Sequence, residues 1–228
     1  MNKVQEFYNR NQFPGHYSIS DFDCYQNEII NPYLKLIYDS IKDAETVIDI
    51  GCGSGLVVNL LAKKYPLKSF TAIDFADSIV FAKDFARQNN LNNINYIKCD
   101  ILDLSLTDKF DVVICQGVLH HIPNYLQAYS NIKGLVGKNG TLLLGLYHPL
   151  GKFFKKFYFL NYASKVLEDD QERNPYEVSY TINDVKRLVS QDFFMVDRYP
   201  RSLVFMLLNH FYKFSLSGGI ILYNLKRI

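Results

Sequence analysis

The sequence predicts an α/β fold: a doubly wound, mostly parallel sheet of seven strands with the last strand antiparallel. Three observations predict it. A short apolar run with one acid, Val47-Ile48-Asp49-Ile50, is cut off by glycines at 51, 53 and 55, and Leu56 to Lys64 then takes up an apolar 3.6-residue period. The same alternation of short apolar run and helical pattern repeats as far as Tyr147. Strands separated by helical patterns form βαβ units, and these stack into a parallel sheet with helices on both faces.

Each element can be justified in turn. Residues 1–24 are polar and aromatic, with a Pro14-Gly15 turn, and read as an N-terminal strap that either lids a ligand or packs on the sheet. From Asn27 to Ile41 the apolar residues Ile29, Ile30, Tyr33, Leu34, Ile37, Tyr38 and Ile41 form a helical stripe, with Pro32 near its first turn. Strand 1 is expected over 46–50 and a helix over 55–64. Strand 2 follows at 69–74, a helix at 76–89, strand 3 at 94–100 and strand 4 at 110–115. A helix from Pro123 to about Val136 leads through a Gly137-Lys138-Asn139-Gly140 turn to strand 5 at 141–147. Beyond it the pattern loosens into an insertion over 148–180. Thr181, with Asp184 three residues on, is placed to cap another helix. Strand 6 spans 193–199, a second insertion 201–217, and the last strand 220–225, which must pair antiparallel with its neighbours to close the sheet. The whole chain, 1–228, reads as a single domain, with 1–45 as strap and helix and the two insertions as a substrate cap.

Composition excludes several classes. The 228 residues are 48% hydrophobic, enough for a full core, and a net charge of +2 gives no basic excess of the kind DNA binding requires. Cys24, Cys52, Cys99 and Cys115 contain no C-x-x-C pair, so reduced thiols in a cytoplasmic protein are expected rather than disulfides or a zinc site. Met1 to Glu6 lacks the apolar core of a signal peptide, and the longest unbroken apolar stretch, Leu203 to Leu208, is far short of a membrane span.

The glycine spacing decides what the first turn can bind. A dinucleotide turn, Gly-x-Gly-x-x-Gly, would need glycine at position 56, where Leu56 stands. A P-loop needs Gly-Lys-Ser/Thr, and no lysine follows Gly55 before Lys63. What remains is acid-x-Gly-x-Gly-x-Gly from Asp49 to Gly55. In open α/β sheets, ligands bind beyond the carboxyl ends of the strands, where strand order reverses. The first four strands each end there in a polar contact: the Asp49–Gly55 turn, Asp74, which suits two ribose hydroxyls, Asp100-Ile101, and Gln116-Gly117-Val118-Leu119-His120-His121. Each has a plainer reading alone, Asp74 as a helix cap and Asp100 as a turn residue.

Taken together, Val47–Gly55, Ala72–Asp74, Lys98–Asp100 and Phe110–Ile122 resemble the class I S-adenosylmethionine (SAM)-dependent methyltransferase superfamily, in its small-molecule branch. The resemblance runs from about residue 30 to 147 and, less sharply, to the end. Gly145–Tyr147 and Asn174–Val178 add a narrower likeness to a bacterial subgroup that suggests no substrate. The resemblance implies a Rossmann-like sheet and SAM as cofactor, with S-adenosylhomocysteine (SAH) as product. It places Gly51 and Gly53 under the methionine part, with Asp49 ordering that end, and makes Cys52 and Gly55 cofactor-binding residues of the same turn. Asp74 would hold the ribose diol and Phe75 flank the adenine, Asp100 and Ile101 would bracket the adenine edge, and the Gln116 backbone would meet the ammonium. Cys115-Gln116-Gly117-Val118 departs from the Asn/Asp-Pro-Pro-Tyr pattern of base and glutamine-amide methylating enzymes, which argues against those acceptors.

His120 and His121 are candidates for a general base toward an O, N or C nucleophile, and at most one of two adjacent residues faces the methyl group. The plainer role is packing at the start of the following helix, and no carboxylate–histidine cluster accompanies them to hold a metal. Phe153-Phe154-Lys155-Lys156-Phe157-Tyr158-Phe159, within the first insertion, suits a cap over an apolar or amphiphilic acceptor, a helix packed on the sheet, or weak contact with a membrane surface. A tRNA or modified-nucleoside methyltransferase and a non-catalytic SAM-binding accessory protein are the alternatives to a small-molecule enzyme.

Overall fold

The computed structural model describes residues 3–13, 15–18, 32–150, 176–199 and 220–228. Of the expected caps, residues 151–175 of the 148–180 insertion and the whole of 201–217 lie outside the described residues, as do residues 19–31.

In chain order the elements are α1 (Lys3–Arg10), α2 (Pro32–Ile41), β1 (Thr46–Ile50), α3 (Leu56–Lys64), β2 (Ser69–Asp74), α4 (Ser78–Gln88), β3 (Ile94–Lys98), β4 (Phe110–Gln116), α5 (Tyr125–Leu135), β5 (Val136–Tyr147), α6 (Ile182–Val189), β6 (Phe193–Tyr199) and β7 (Ile220–Arg227). The described strands form one seven-stranded sheet in the order β3-β2-β1-β4-β5-β7-β6. Pairing is parallel from β3 to β5, and β7 runs antiparallel between β5 and β6. The Rossmann-like expectation, including the antiparallel last strand, is what the chain adopts. Order reverses between β1 and β4, whose ends lie side by side with Ile50 opposite Cys115.

The strands form where the sequence is apolar because both faces are covered. One face packs Ile48, Ile50, Val113, Leu142, Leu144 and Tyr223 against α5 and α6 residues such as Ile132 and Val185. The other packs Val47, Phe70, Val112 and Ile114 against Leu34, Ile37, Leu60, Leu61 and Phe85 of α2, α3 and α4. A fully buried Leu or Ile side chain contributes roughly 1.5–3 kcal/mol, so these two layers dominate stability. Thr181 caps α6 as expected. Its side chain accepts from Asp184 N at 3.2 Å, and the Asp184 carboxylate accepts from Thr181 N at 2.9 Å.

The larger departures from expectation are these. β3 stops at Lys98, because Asp100 turns the chain by accepting from Leu102 N at 2.9 Å. β5 begins at Val136, since Gly137–Gly140 is absorbed into the strand through a register shift against β4, with Asn139 at φ 60°. The start of the strap is a helix, α1, a conformation its polar sequence does not announce.

Candidate functional site

The carboxyl ends of β1, β2, β3 and β4 bring the expected site residues to one edge of the sheet. The turn after β1 is built by glycines at φ 72°, 56° and 79°, at Gly51, Gly53 and Gly55. Such angles disfavour any side chain, and here the space for one is filled as well. A Cβ on Gly51 would come within 2.1 Å of Val118 Cγ2, one on Gly53 within 2.2 Å of the Phe13 carbonyl oxygen, and one on Gly55 within 2.5 Å of Ala82 Cβ. The glycines thus make room for the protein's own β4 loop, strap and α4.

Every backbone N–H of the turn is already engaged. Gly51 N and Cys52 N donate to the Ile73 carbonyl at 2.7 and 3.0 Å, and Gly55 N donates to Cys52 O at 2.9 Å. Gly53 N donates to Asp74 Oδ2 at 2.7 Å and Ser54 N to the Phe13 carbonyl at 3.1 Å. A phosphate-binding turn offers its N–H groups outward. This one turns them inward and sets a carboxylate against them.

Asp74 binds Gly53 N and, at 2.8 Å, Ala76 N, so it holds the turn to the start of α4. Burial raises its pKa although these N–H groups lower it. Asp49 stands at the end of β1 with only 5% of its surface exposed. Burial, reinforced by the negative charge of Asp74, pushes its pKa up to about 7. Cys52 is buried beside both acids, and burial first and their charges second hold its thiol protonated. Cys52, Cys99 and Cys115 are free thiols.

Phe75 follows Asp74 and meets the strap: its carbonyl accepts from Gln5 Nε2 at 3.1 Å, and its ring lies 6.1 Å from that of Tyr8. Asp100 lies beyond β3, beside Asp74, whose carbonyl accepts from Cys99 N at 3.0 Å. Ile101 is buried in the core, and its carbonyl accepts from Asn131 Nδ2 at 2.7 Å. Gln116 ends β4 opposite Gly145, and Gly117, at φ 72°, turns the chain away.

The two histidines differ. His120 is fully buried with its ring 4.2 Å from those of His121 and Tyr147. The His121 ring lies 5.9 Å from Tyr8 of α1, and its Nδ1 is 3.1 Å from the Tyr176 carbonyl. A carbonyl only accepts, so this contact puts the proton on Nδ1 and the lone pair on Nε2. Residues 176–180, the described end of the first insertion, lie over this corner: Val178 N donates to His120 O at 3.0 Å and Tyr180 N to Tyr147 O at 2.8 Å.

Sequence reasoning missed the residues that bind the strap. Tyr17 donates to Ser54 O at 3.1 Å and accepts from Asn59 Nδ2 at 2.8 Å, while Tyr96 donates to Asn59 Oδ1. Asn59 is an amide in the apolar stripe of α3, and that misfit was the available signal. Phe13 acts through its carbonyl, which no side-chain pattern reveals. Among the described residues no helix is long and apolar enough to cross a membrane, and no group of three His, Cys, Asp or Glu could hold a metal.

Comparison with known proteins agrees with this geometry. A family model described as "Methyltransferase domain" matches residues 41–192. A ubiquinone biosynthesis O-methyltransferase of Coxiella burnetii is 32% identical over 136 residues, covering 58% of this chain and 55% of that protein. An (S)-coclaurine N-methyltransferase of Thalictrum flavum is 30% identical over 105 residues, 46% of this chain and 29% of that one. The chain thus spans about half the length, or less, of these curated relatives. Among solved structures, the magnesium protoporphyrin IX methyltransferase of Synechocystis with bound SAH has a TM-score of 0.65 at 16% identity, covering 99% of this chain and 98% of that one. The N-methyltransferase NodS of Bradyrhizobium japonicum, also with SAH, gives 0.60 at 16% identity, covering 86% and 85%. These two share the fold. By the family model, which spans most of the sheet and the whole glycine turn, the chain belongs to the methyltransferase domain family.

Proposed function

We propose that the chain transfers the methyl group of SAM to a small apolar or amphiphilic acceptor, at O, N or C, and releases SAH. One observation carries the reading: the glycine turn spends all its N–H groups internally and is backed by two buried carboxylates, Asp49 and Asp74. That edge repels phosphate and favours a cation with hydroxyl donors, which describes a sulfonium nucleoside.

In this reading Asp74 accepts from the ribose hydroxyls, using lone pairs left by Gly53 N and Ala76 N. Phe75 flanks the adenine, Asp100 and Ile101 bracket its edge, and Gly51, Cys52, Gly53 and Gly55 line the methionine portion. Asp49 and the Gln116 backbone attract the ammonium. The cofactor supplies an activated methyl group with its own leaving group, so the protein's task is to align the nucleophile and exclude water. His121 is the group we assign to proton removal, because the Tyr176 contact supports a tautomer with its lone pair on Nε2. The strap, through Tyr8, and residues 176–180 close over that corner, while the Phe13 carbonyl holds the strap to the glycine turn. The free thiols accord with a cytoplasmic enzyme.

The test is incubation with methyl-labelled SAM and a panel of phenols, amines and carbon acids, with bulk tRNA in parallel. Label should appear in a small acceptor, and His121→Asn should slow its transfer by about 100-fold or more while SAM affinity holds. Label in tRNA instead would overturn the small-molecule reading, and unchanged transfer in the variant would remove the base assignment.

A further inference from the structure

α1 has eight residues, of which Val4 is the one buried. So short a helix is marginal in water on its own, and what it packs against fixes its place. Gln5, Tyr8 and Asn9 stand at i, i+3 and i+4, so they share one helix face. Two of them fasten α1 to the loop after β2. Gln5 Nε2 donates to the Phe75 carbonyl at 3.1 Å, and Asn9 Oδ1 accepts from Asp77 N at 2.9 Å. Tyr8 reaches further.

The Tyr8 ring lies 6.1 Å from that of Phe75 and 5.9 Å from that of His121. Phe75 follows β2, His121 follows β4, and β1 lies between those strands in the sheet. A helix that touches both loops therefore crosses the end of β1 and joins the two sides of the site. Three other contacts to His121 come from the sheet's own loops: the His120 ring at 4.2 Å, the Tyr147 ring at 5.8 Å, and the Tyr176 carbonyl at 3.1 Å from Nδ1. Tyr8 adds a contact from α1, with its ring inclined at 65°.

We propose that Tyr8 is a positioning residue that couples the cofactor side of the site to the base. A nucleoside that settles against Phe75 favours docked α1, and docked α1 packs Tyr8 on the His121 imidazole. The inference rests on the SAM reading above, with Phe75 beside the adenine and His121 as base. A ligand biases a mobile element only through contacts that differ between the element's two positions, and Phe75 is where adenine and α1 meet. The strap is divided for such movement. Residues 13–17 are tied to the glycine turn and α3 through the Phe13 carbonyl and the buried Tyr17, whereas α1 hangs on the Gln5 and Asn9 contacts and on Tyr8. Gly15, at φ 93°, lies within the anchored half. The consequence is an order of binding: the cofactor comes first and readies the base, and the acceptor follows.

The experiment reads His121 by NMR in the full chain with isotope-labelled imidazoles, its signal identified by its absence from His121→Asn. The probe is adenosine, which in the SAM reading meets Phe75 but carries neither the sulfur nor the methionine that runs toward β4. Titrated to saturation, adenosine should shift and sharpen the His121 signal in the wild type. Tyr8→Phe keeps the ring and should keep that response. Tyr8→Ala, and Tyr8→Leu, which retains apolar bulk, should bind adenosine by calorimetry and lose the response. A His121 signal unmoved in the saturated wild type, or moved as far in Tyr8→Ala and Tyr8→Leu, would overturn the proposal and leave Tyr8 a packing residue. Failure of adenosine, SAM and SAH alike to bind the wild type would instead remove the cofactor reading, and this inference with it.

Discussion

Asp49 and Asp111 stand on adjacent parallel strands, at opposite ends of the same ladder, and their surroundings are opposed in every respect. Asp111 opens β4 at the exposed amino edge, where its Oδ2 accepts from Glu45 N and Thr46 N, both at 2.9 Å, and from Thr46 Oγ1 at 3.0 Å. Its slight burial works against the charge, but those donors and Lys68 outweigh it and lower its pKa. Asp49 is buried at the carboxyl edge, receives no donor from the described residues and faces a second acid, Asp74, so its pKa rises to about 7. A carboxylate surrounded by donors is a clip that joins β1 to β4. One kept desolvated and unsatisfied is held ready for a cation. In the proposed reading, the difference puts function at one edge and structure at the other.

The pH dependence of stability tests the contrast most strongly, because the two acids act with opposite sign. Asp49 binds its proton more tightly folded than unfolded, so it favours the folded state at low pH and this contribution is lost as pH rises from about 4 to about 7. At about 1.4 kcal/mol per unit, the effect is on the order of a few kcal/mol. In chemical denaturation across that range this contribution should weaken the ligand-free protein, and Asp49→Asn should flatten the slope, leaving the smaller part that belongs to Asp74. Asp111, whose folded pKa is depressed, contributes stability above the unfolded carboxylate value that disappears only below about pH 4.

Asp74→Ala comes next. It deprives Gly53 N and Ala76 N of their acceptor and removes the proposed ribose contact, so SAM affinity should fall by about 1.5–3 kcal/mol in a calorimetric titration. Wild-type affinity in this variant would sink the ribose assignment. Asp111→Ala is the control from the other edge: a loss of about 1–2 kcal/mol in unfolding free energy with SAM binding unchanged. Weakened SAM binding there would blur the division between the two edges. The smallest effect is expected of Tyr17→Phe, which frees the strap from Ser54 O and Asn59 and should cost about 1 kcal/mol in stability.

The carboxyl edge was also the more legible of the two. Val47–Ile50, Phe70–Ile73 and Val112–Cys115 announce themselves because strands covered on both faces are mostly apolar, and the glycines mark where the chain must turn. The carboxylates that end β1 and β2 stand out against such runs. α1 did not stand out: Lys3–Arg10 buries only Val4, and it is held by Gln5 and by Asn9, whose Oδ1 accepts from Asp77 N at 2.9 Å. Such contacts depend on partners far away in the sequence. The Gly137–Gly140 segment read as a turn because its composition suits one, yet pairing with β4 draws it into β5.

The central claim is that the β1 edge is built for a sulfonium nucleoside and against a phosphate. Calorimetric titration of the purified chain with SAM and SAH, and with NAD alongside, tests it most directly. The geometry predicts micromolar binding of both adenosyl ligands and no heat from NAD. Binding of NAD, or silence with all three, would contradict it and would leave the glycine turn as a purely structural connection between β1 and α3.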